Sequence, residues 1–168
     1  GPKVTQFTLK PAEGVKLSRI VGLHNDLALA LAAHPLRIEA PIPGRSLVGI
    51  EIPNKQVALV RLRSLFEEPE VEKNTLPLTF VLGRDVTGRA AFDSIARMPH
   101  LLIAGSTGSG KSIAIHSLLT NLIYRHGPDE LQLVLVDPKR VELIMYNGIP
   151  QLLAPVIVEP KKTIQALA

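Results

Sequence analysis

The sequence predicts an α/β fold in two parts, a small α+β module followed by part of a P-loop nucleotide-binding domain with a mainly parallel sheet. Three observations predict it. A glycine-rich run, Gly105 to Ser112, lies between an apolar run, Leu101-Leu102-Ile103-Ala104, and a segment of helical periodicity. A second apolar run, Leu131 to Val136, follows that helix and completes a strand–loop–helix–strand unit of the kind that pairs its strands in parallel. Upstream, the charged and proline-broken stretch from Glu67 to Asn74 marks a module boundary, which divides the chain into 1–74 and 75–168.

Taken in order, Val4 to Leu9 alternates polar and apolar residues and reads as a strand, with Pro11 to Gly14 as the turn after it. A helix is predicted from Ser18, where Ile20, Leu23, Leu27, Ala30 and Leu31 recur at spacings of three and four, and Pro35 ends it. Leu36 to Ala40 and Leu47 to Ile52 alternate again and read as two strands joined by the stiff turn Pro41-Ile42-Pro43-Gly44-Arg45. Val57 to Phe66 has a helical pattern. In the second module a strand is expected over Leu76 to Leu82, a turn over Gly83 to Gly88 and a short strand over Ala90 to Phe92. Ile115, Leu118, Leu119, Leu122 and Ile123 give the helix from Lys111 to Tyr124 its apolar face. Val141 to Tyr146 reads as a short helix, Pro155 to Val158 as a strand and Lys161 to Ala168 as a helix.

At 168 residues, 46% hydrophobic and 20% charged, the chain has the composition of a folded globular protein. Its net charge of +4 suits a polyanionic partner without demanding one. The excess is spread evenly, 10 basic and 8 acidic residues up to Asn74 and 9 and 7 after it, so any basic surface must come from folding or assembly. There is no cysteine, which excludes disulfides, thiolate metal sites and cysteine nucleophiles. His24, His34, His100, His116 and His126 never fall four residues apart, so a zinc-like histidine site is not predicted. No apolar run approaches the roughly 20 residues of a membrane span, which predicts a soluble, cytoplasmic segment.

The run Gly105-Ser106-Thr107-Gly108-Ser109-Gly110-Lys111-Ser112 fits G-x-x-x-x-G-K-[ST]. Its glycines let backbone N–H groups turn inward around a β-phosphate, where side chains would obstruct the nest. Lys111 brings positive charge to the β and γ oxygens, Ser112 a hydroxyl for Mg²⁺, and the helix start a favourable dipole. The predicted ligands are therefore ATP or a similar triphosphate with Mg²⁺. Asp137 ends the Leu133–Val136 run and admits three readings: a Walker B carboxylate near Mg²⁺, a strand-end residue capping the next helix or hydrogen-bonding locally, or a supporting residue near phosphate or at a subunit boundary. Lys139, Arg140, Arg61, Arg63, Arg84, Arg89 and Arg97 read singly as surface charges or local ion pairs, with contact to phosphate backbones or to a neighbour's nucleotide as the alternative. His116 reads as a helix-face residue rather than a catalytic base. With two Tyr, four Phe and no Trp, no stacking ladder for single-stranded nucleic acid is expected.

Three blocks together resemble the motor region of the FtsK/SpoIIIE family of DNA translocases. They are Arg37-Ile38-Glu39-Ala40-Pro41-Ile42-Pro43-Gly44 with Val48-Gly49-Ile50-Glu51-Ile52-Pro53-Asn54; Met98-Pro99-His100-Leu101 running into the glycine-rich loop; and Asp137-Pro138-Lys139 with Val141-Glu142-Leu143 and Tyr146-Asn147-Gly148-Ile149-Pro150. The resemblance covers essentially the whole chain, with Arg140, Gln151, Ala114 and His116 as departures. It implies an α module over 1–74 and the N-terminal part of a RecA-like β module over 75–168. It further implies an ATPase that forms homo-oligomeric, hexameric rings on double-stranded DNA and pumps it in cell division, chromosome partition or sporulation, from a parent protein anchored in the bacterial membrane. The family's Walker B acid is expected beyond Ala168, which argues against that role for Asp137. The alternative function is a non-catalytic assembly module in which nucleotide only tunes packing between ring neighbours.

Overall fold

The computed structural model describes residues 1–167, and Ala168, the end of the predicted last helix, lies outside them. The chain divides into two compact units, one of Gly1–Glu72 with Gly83–Ala91, the other of Lys73–Leu82 with the chain from Phe92 onward.

The first unit is built on three strands, β1 (Val4–Leu9), β2 (Arg37–Glu39) and β3 (Val48–Pro53), in the order β1-β3-β2. All pairs are antiparallel, Val4 opposite Pro53 and Leu9 opposite Val48 on one side, Arg37 opposite Glu51 on the other. The central strand carries the buried Val48, and period-two alternation puts the partly buried Ile50 and Ile52 on the same side of the strand. Glu51, on the opposite side, is buried against Gln6 Nε2 and the Arg37 guanidinium at 3.7 Å.

The helix predicted from Ser18 is two helices, α1 (Leu17–Gly22) and α2 (His24–Ala30). Gly22 has low helix propensity, and the next amide, Leu23 N–H, closes back on Ile20 at 3.1 Å in a tighter turn before the chain restarts. Val57 to Phe66 is helical only at α3 (Leu62–Phe66). The Ala58 amide donates instead to the Pro2 carbonyl at 3.0 Å, so the β-branched Val57 and Val60 lie outside the helix. The proline-broken stretch carries its own turn, α4 (Pro69–Glu72), whose Val71 is fully buried.

β4 (Thr79–Arg84) and β5 (Ala90–Ser94) form a two-stranded sheet, so the predicted turn begins two residues later than Gly83. Asp85 Oδ1 builds that turn by accepting the Thr87 and Arg89 amides at 2.8 and 3.0 Å. α5 (Lys111–Arg125) and α6 (Pro160–Leu167) belong to the second unit.

Among the described residues the expected parallel sheet is reduced to two isolated parallel bridges, Leu133 with Leu152 and Val136 with Ile157. The bridges lie three residues apart on the first segment and five on the second, so the extra length bulges out and no continuous ladder forms. Pro155, within the longer span, has no N–H to donate. Leu101–Ala104 joins neither sheet, and Leu102 is 89% exposed. An apolar run becomes a strand only where a neighbour takes its backbone groups. Leu119 of α5 packs with Leu135 and Val156 in the core of this unit, with Ile115, Ile123, Leu143 and Tyr146 around them.

Candidate phosphate-binding site

The glycine-rich loop leads directly into α5, whose first residue is Lys111. Gly110, just before it, has φ +97°, and Gly108 has φ +81°, both in the left-handed region that side chains disfavour. At these two positions backbone conformation, rather than crowding, calls for glycine, since a Cβ would meet open space. Gly105 differs: a Cβ there would run into the Ser109 side chain, while Ser109 N–H closes the turn on the Ser106 carbonyl at 3.1 Å. Ala114 N–H to Gly110 at 2.9 Å opens the helical ladder, so Lys111, Ser112 and Ile113 lie at the helix mouth, where amides have no i−4 partner. Lys111 is exposed there and Ser112 half-buried. Arg125 in the last turn complements the other end of the dipole.

Asn121 anchors this helix. Completely buried, it accepts the Val81 N–H of β4 at 3.2 Å and donates to the Ser117 carbonyl at 2.7 Å.

Asp137 is buried at the end of its segment, where one oxygen, Oδ2, accepts the amides of Val141, Glu142 and Leu143 at 3.0, 2.9 and 3.0 Å. The chain winds back tightly enough for this because Arg140 takes φ +55° and its N–H bonds the Asp137 carbonyl at 3.1 Å. The Leu143 amide above all, with those of Glu142 and Val141, holds the Asp137 carboxyl below the usual carboxylate range, against the opposing effect of burial. The segment read as a helix from Val141 to Tyr146 is thus mostly turn, with one 3₁₀ turn over Ile144–Tyr146.

That turn delivers a residue to which the sequence motifs assign no role. The Ser112 hydroxyl donates to Glu142 Oε1, across thirty residues of chain. One helical turn further on, His116 Nδ1 meets the Tyr146 hydroxyl at 2.8 Å, with the two rings stacked at 5.7 Å. No spacing rule ties an acid in Val141-Glu142-Leu143 to a loop so far upstream. Of the arginines, Arg84 is paired with Glu68 and Arg63 with Glu67, both in the first unit. No cluster of three or more His, Cys, Asp or Glu side chains able to hold a metal occurs among the described residues. No helix there is long and apolar enough to cross a membrane.

A family model described as the FtsK/SpoIIIE family matches residues 61–168, and a second, the FtsK alpha domain, matches 1–54. The chain belongs to the FtsK/SpoIIIE family. It is 53% identical over 167 residues to a protein named DNA translocase FtsK from Oceanobacillus iheyensis, 56% to that of Lactiplantibacillus plantarum and 54% to that of Staphylococcus aureus. In each case 99% of this chain is covered but only 21% of the relative, so the chain spans about a fifth of the length of these curated family members. Among solved structures, the pCW3 conjugation coupling protein TcpA, in its monomer form with ATPγS, is 22% identical, with a TM-score of 0.48 over 99% of this chain and 44% of that one.

Proposed function

We propose that this chain is the ATP-binding piece of an ATP-driven motor that moves double-stranded DNA, with Gly105 to Ser112 as its phosphate-binding loop. The observation that carries the proposal is the loop's geometry at the mouth of α5: two left-handed glycines, an exposed lysine and a half-buried serine in sequence. Family membership and the relatives, which are named DNA translocases, support DNA as the substrate. Gly105, Ser106, Thr107, Gly108, Ser109 and Gly110 would cradle the phosphates, and Lys111 would balance their charge. The hydroxyl oxygen of Ser112 is a hard donor of the kind Mg²⁺ selects, with a carboxylate beside it. Mg²⁺, when bound, neutralises charge on the β and γ oxygens. Asp137 spends Oδ2 on three backbone amides, and we read it as the support of the turn rather than the acid that activates water.

Residues 75–168 would then form the N-terminal part of a RecA-like module and 1–74 the α module that precedes it in the chain. The whole motor, of which this is a part, would act as a homo-oligomeric ring in chromosome partition during division or sporulation, with this segment on the cytoplasmic side. ATP turnover with and without duplex DNA, on this chain and on one extended through the next acidic strand, tests the assignment. DNA-stimulated turnover in the extended chain supports a motor; nucleotide binding that never becomes turnover in either points to an assembly module.

A further inference from the structure

We propose that Glu142 is a positioning residue for Ser112, taking the hydroxyl's hydrogen bond so that its lone pairs face a magnesium ion held with the nucleotide. The inference rests on the nucleotide-site reading above and deepens it. A serine hydroxyl has one proton and two lone-pair sites, and as a free rotor it can turn the proton toward any acceptor, a phosphate oxygen included. Once the proton is committed to Glu142, only lone pairs remain to be presented. A carboxylate is the stronger acceptor for this purpose, because the charge-assisted bond also raises the electron density on the hydroxyl oxygen.

Glu142 is not a loose surface acid that happens to reach the loop. Asp137 Oδ2 fixes its own amide and those on either side of it. Leu143, the next residue, packs against the Leu119–Leu135–Val156 core. Tyr146 meets His116, and each lies four residues beyond its counterpart in the Ser112–Glu142 pair. Two polar links one helical turn apart therefore set the register of residues 142–146 along α5. Nor does Glu142 serve as a cap of α5, since its partner is the Ser112 side chain.

Calorimetric titration of this chain with ATPγS, once with Mg²⁺ and once with excess EDTA, tests the inference on wild type, Glu142→Ala, Glu142→Gln, Ser112→Ala and the Ser112/Glu142 double alanine variant. Losing an outer partner should weaken Mg²⁺–ATPγS binding about 10- to 100-fold. Binding in EDTA should hold or tighten slightly, because a carboxylate near the triphosphate is gone. Glutamine, whose amide oxygen still accepts the Ser112 proton, should restore part of the loss. The double variant should be no weaker than Ser112→Ala, since both changes remove one coupled pair. Equal losses with and without Mg²⁺, no loss at all, or losses that add would each overturn the positioning role. Wild type that binds ATPγS in neither condition would instead overturn the nucleotide-site reading, and this inference with it. Circular dichroism melts check that each variant is folded, and Glu142→Gln carries the test if the alanine variant is not.

Discussion

Replacing Asn121 by alanine would show how firmly the loop helix depends on one buried amide. The side chain is 0% exposed and is the acceptor for the Val81 N–H, in a strand whose Thr79, Phe80 and Val81 are all buried. Alanine leaves that donor without a partner and beyond the reach of water, at about 1–3 kcal/mol. The Ser117 carbonyl keeps its place in the helical ladder and adds little. The missing carboxamide leaves a gap worth about another 1 kcal/mol, so the total is about 2–4 kcal/mol. Against a usual domain stability of about 5–15 kcal/mol that is a large fraction. Urea unfolding followed by circular dichroism measures it, and amide hydrogen exchange should show Val81 losing protection before the helix interior does. Asn121→Asp sharpens the test. As a carboxylate it can still accept from Val81 but must face the Ser117 carbonyl with an oxygen; protonated, it can donate there as asparagine does. Its folded pKa should therefore lie above the ordinary carboxyl value of about 3.9, so the stability it recovers is present below that value and is lost as pH rises through the folded pKa. A Asn121→Ala variant within about 0.5 kcal/mol of wild type, or a Val81 amide as protected as before, would refute this account of the anchor.

Lys111→Ala should abolish most triphosphate binding while the unfolding curve stays in place, because Lys111 is exposed and contributes charge rather than core; unchanged affinity by calorimetry would reject the loop as a phosphate site. Asp137→Asn should weaken Mg²⁺-dependent binding far less than Ser112→Ala, since an amide oxygen can still accept the amides that Oδ2 now holds; a larger loss at Asp137 would make it a magnesium-shell acid. In acid, the Asp137 carboxylate's contribution to stability is present above its unfolded pKa and lost as pH falls through the depressed folded value, so Asp137→Asn should flatten the acid limb of an unfolding-versus-pH curve. His24 works in the opposite direction: its bond to the Leu36 carbonyl, with a smaller effect from Asn25, raises its pKa. Its contribution is full below the unfolded value and lost as pH rises through the folded one, which an NMR titration of the imidazole in wild type and the pH dependence of melting in His24→Ala can check.

What the sequence made legible was whatever depends on neighbours in sequence. The alternation of Val4 to Leu9 marked β1 at its observed limits, and the periodicity after Gly110 placed the start of α5 at Lys111. Leu101–Ala104 and Leu131–Val136 read equally well as strands, but a strand is a property of two segments, and the second found two isolated bridges rather than a ladder while the first paired with neither sheet. The break at Leu23 turned on a single backbone bond that periodicity does not weigh. At the candidate site the same division holds, because the eight loop residues are contiguous and announce themselves, whereas Glu142 arrives by a fold.

The route by which it arrives links stability to the site. Asp137 holds the amides of Val141 to Leu143 and so sets the turn; the turn sets Leu143 into the core and Glu142 against Ser112; Tyr146 locks the same stretch to His116 one turn along α5. The last three of these contacts join the chain after Asp137 to the helix that begins at the glycine-rich loop. A change at Asp137 that removes its acceptor altogether should therefore reach Ser112 without touching it, because the hydroxyl's partner sits in a turn whose three amides the Asp137 side chain holds. Asp137→Ala should accordingly reproduce part of the Mg²⁺-specific loss of Glu142→Ala, and the two changes combined should cost less than their sum. Calorimetry on the single and combined variants measures this. Independent, additive losses would mean that the turn and the loop hydroxyl are not coupled through Glu142.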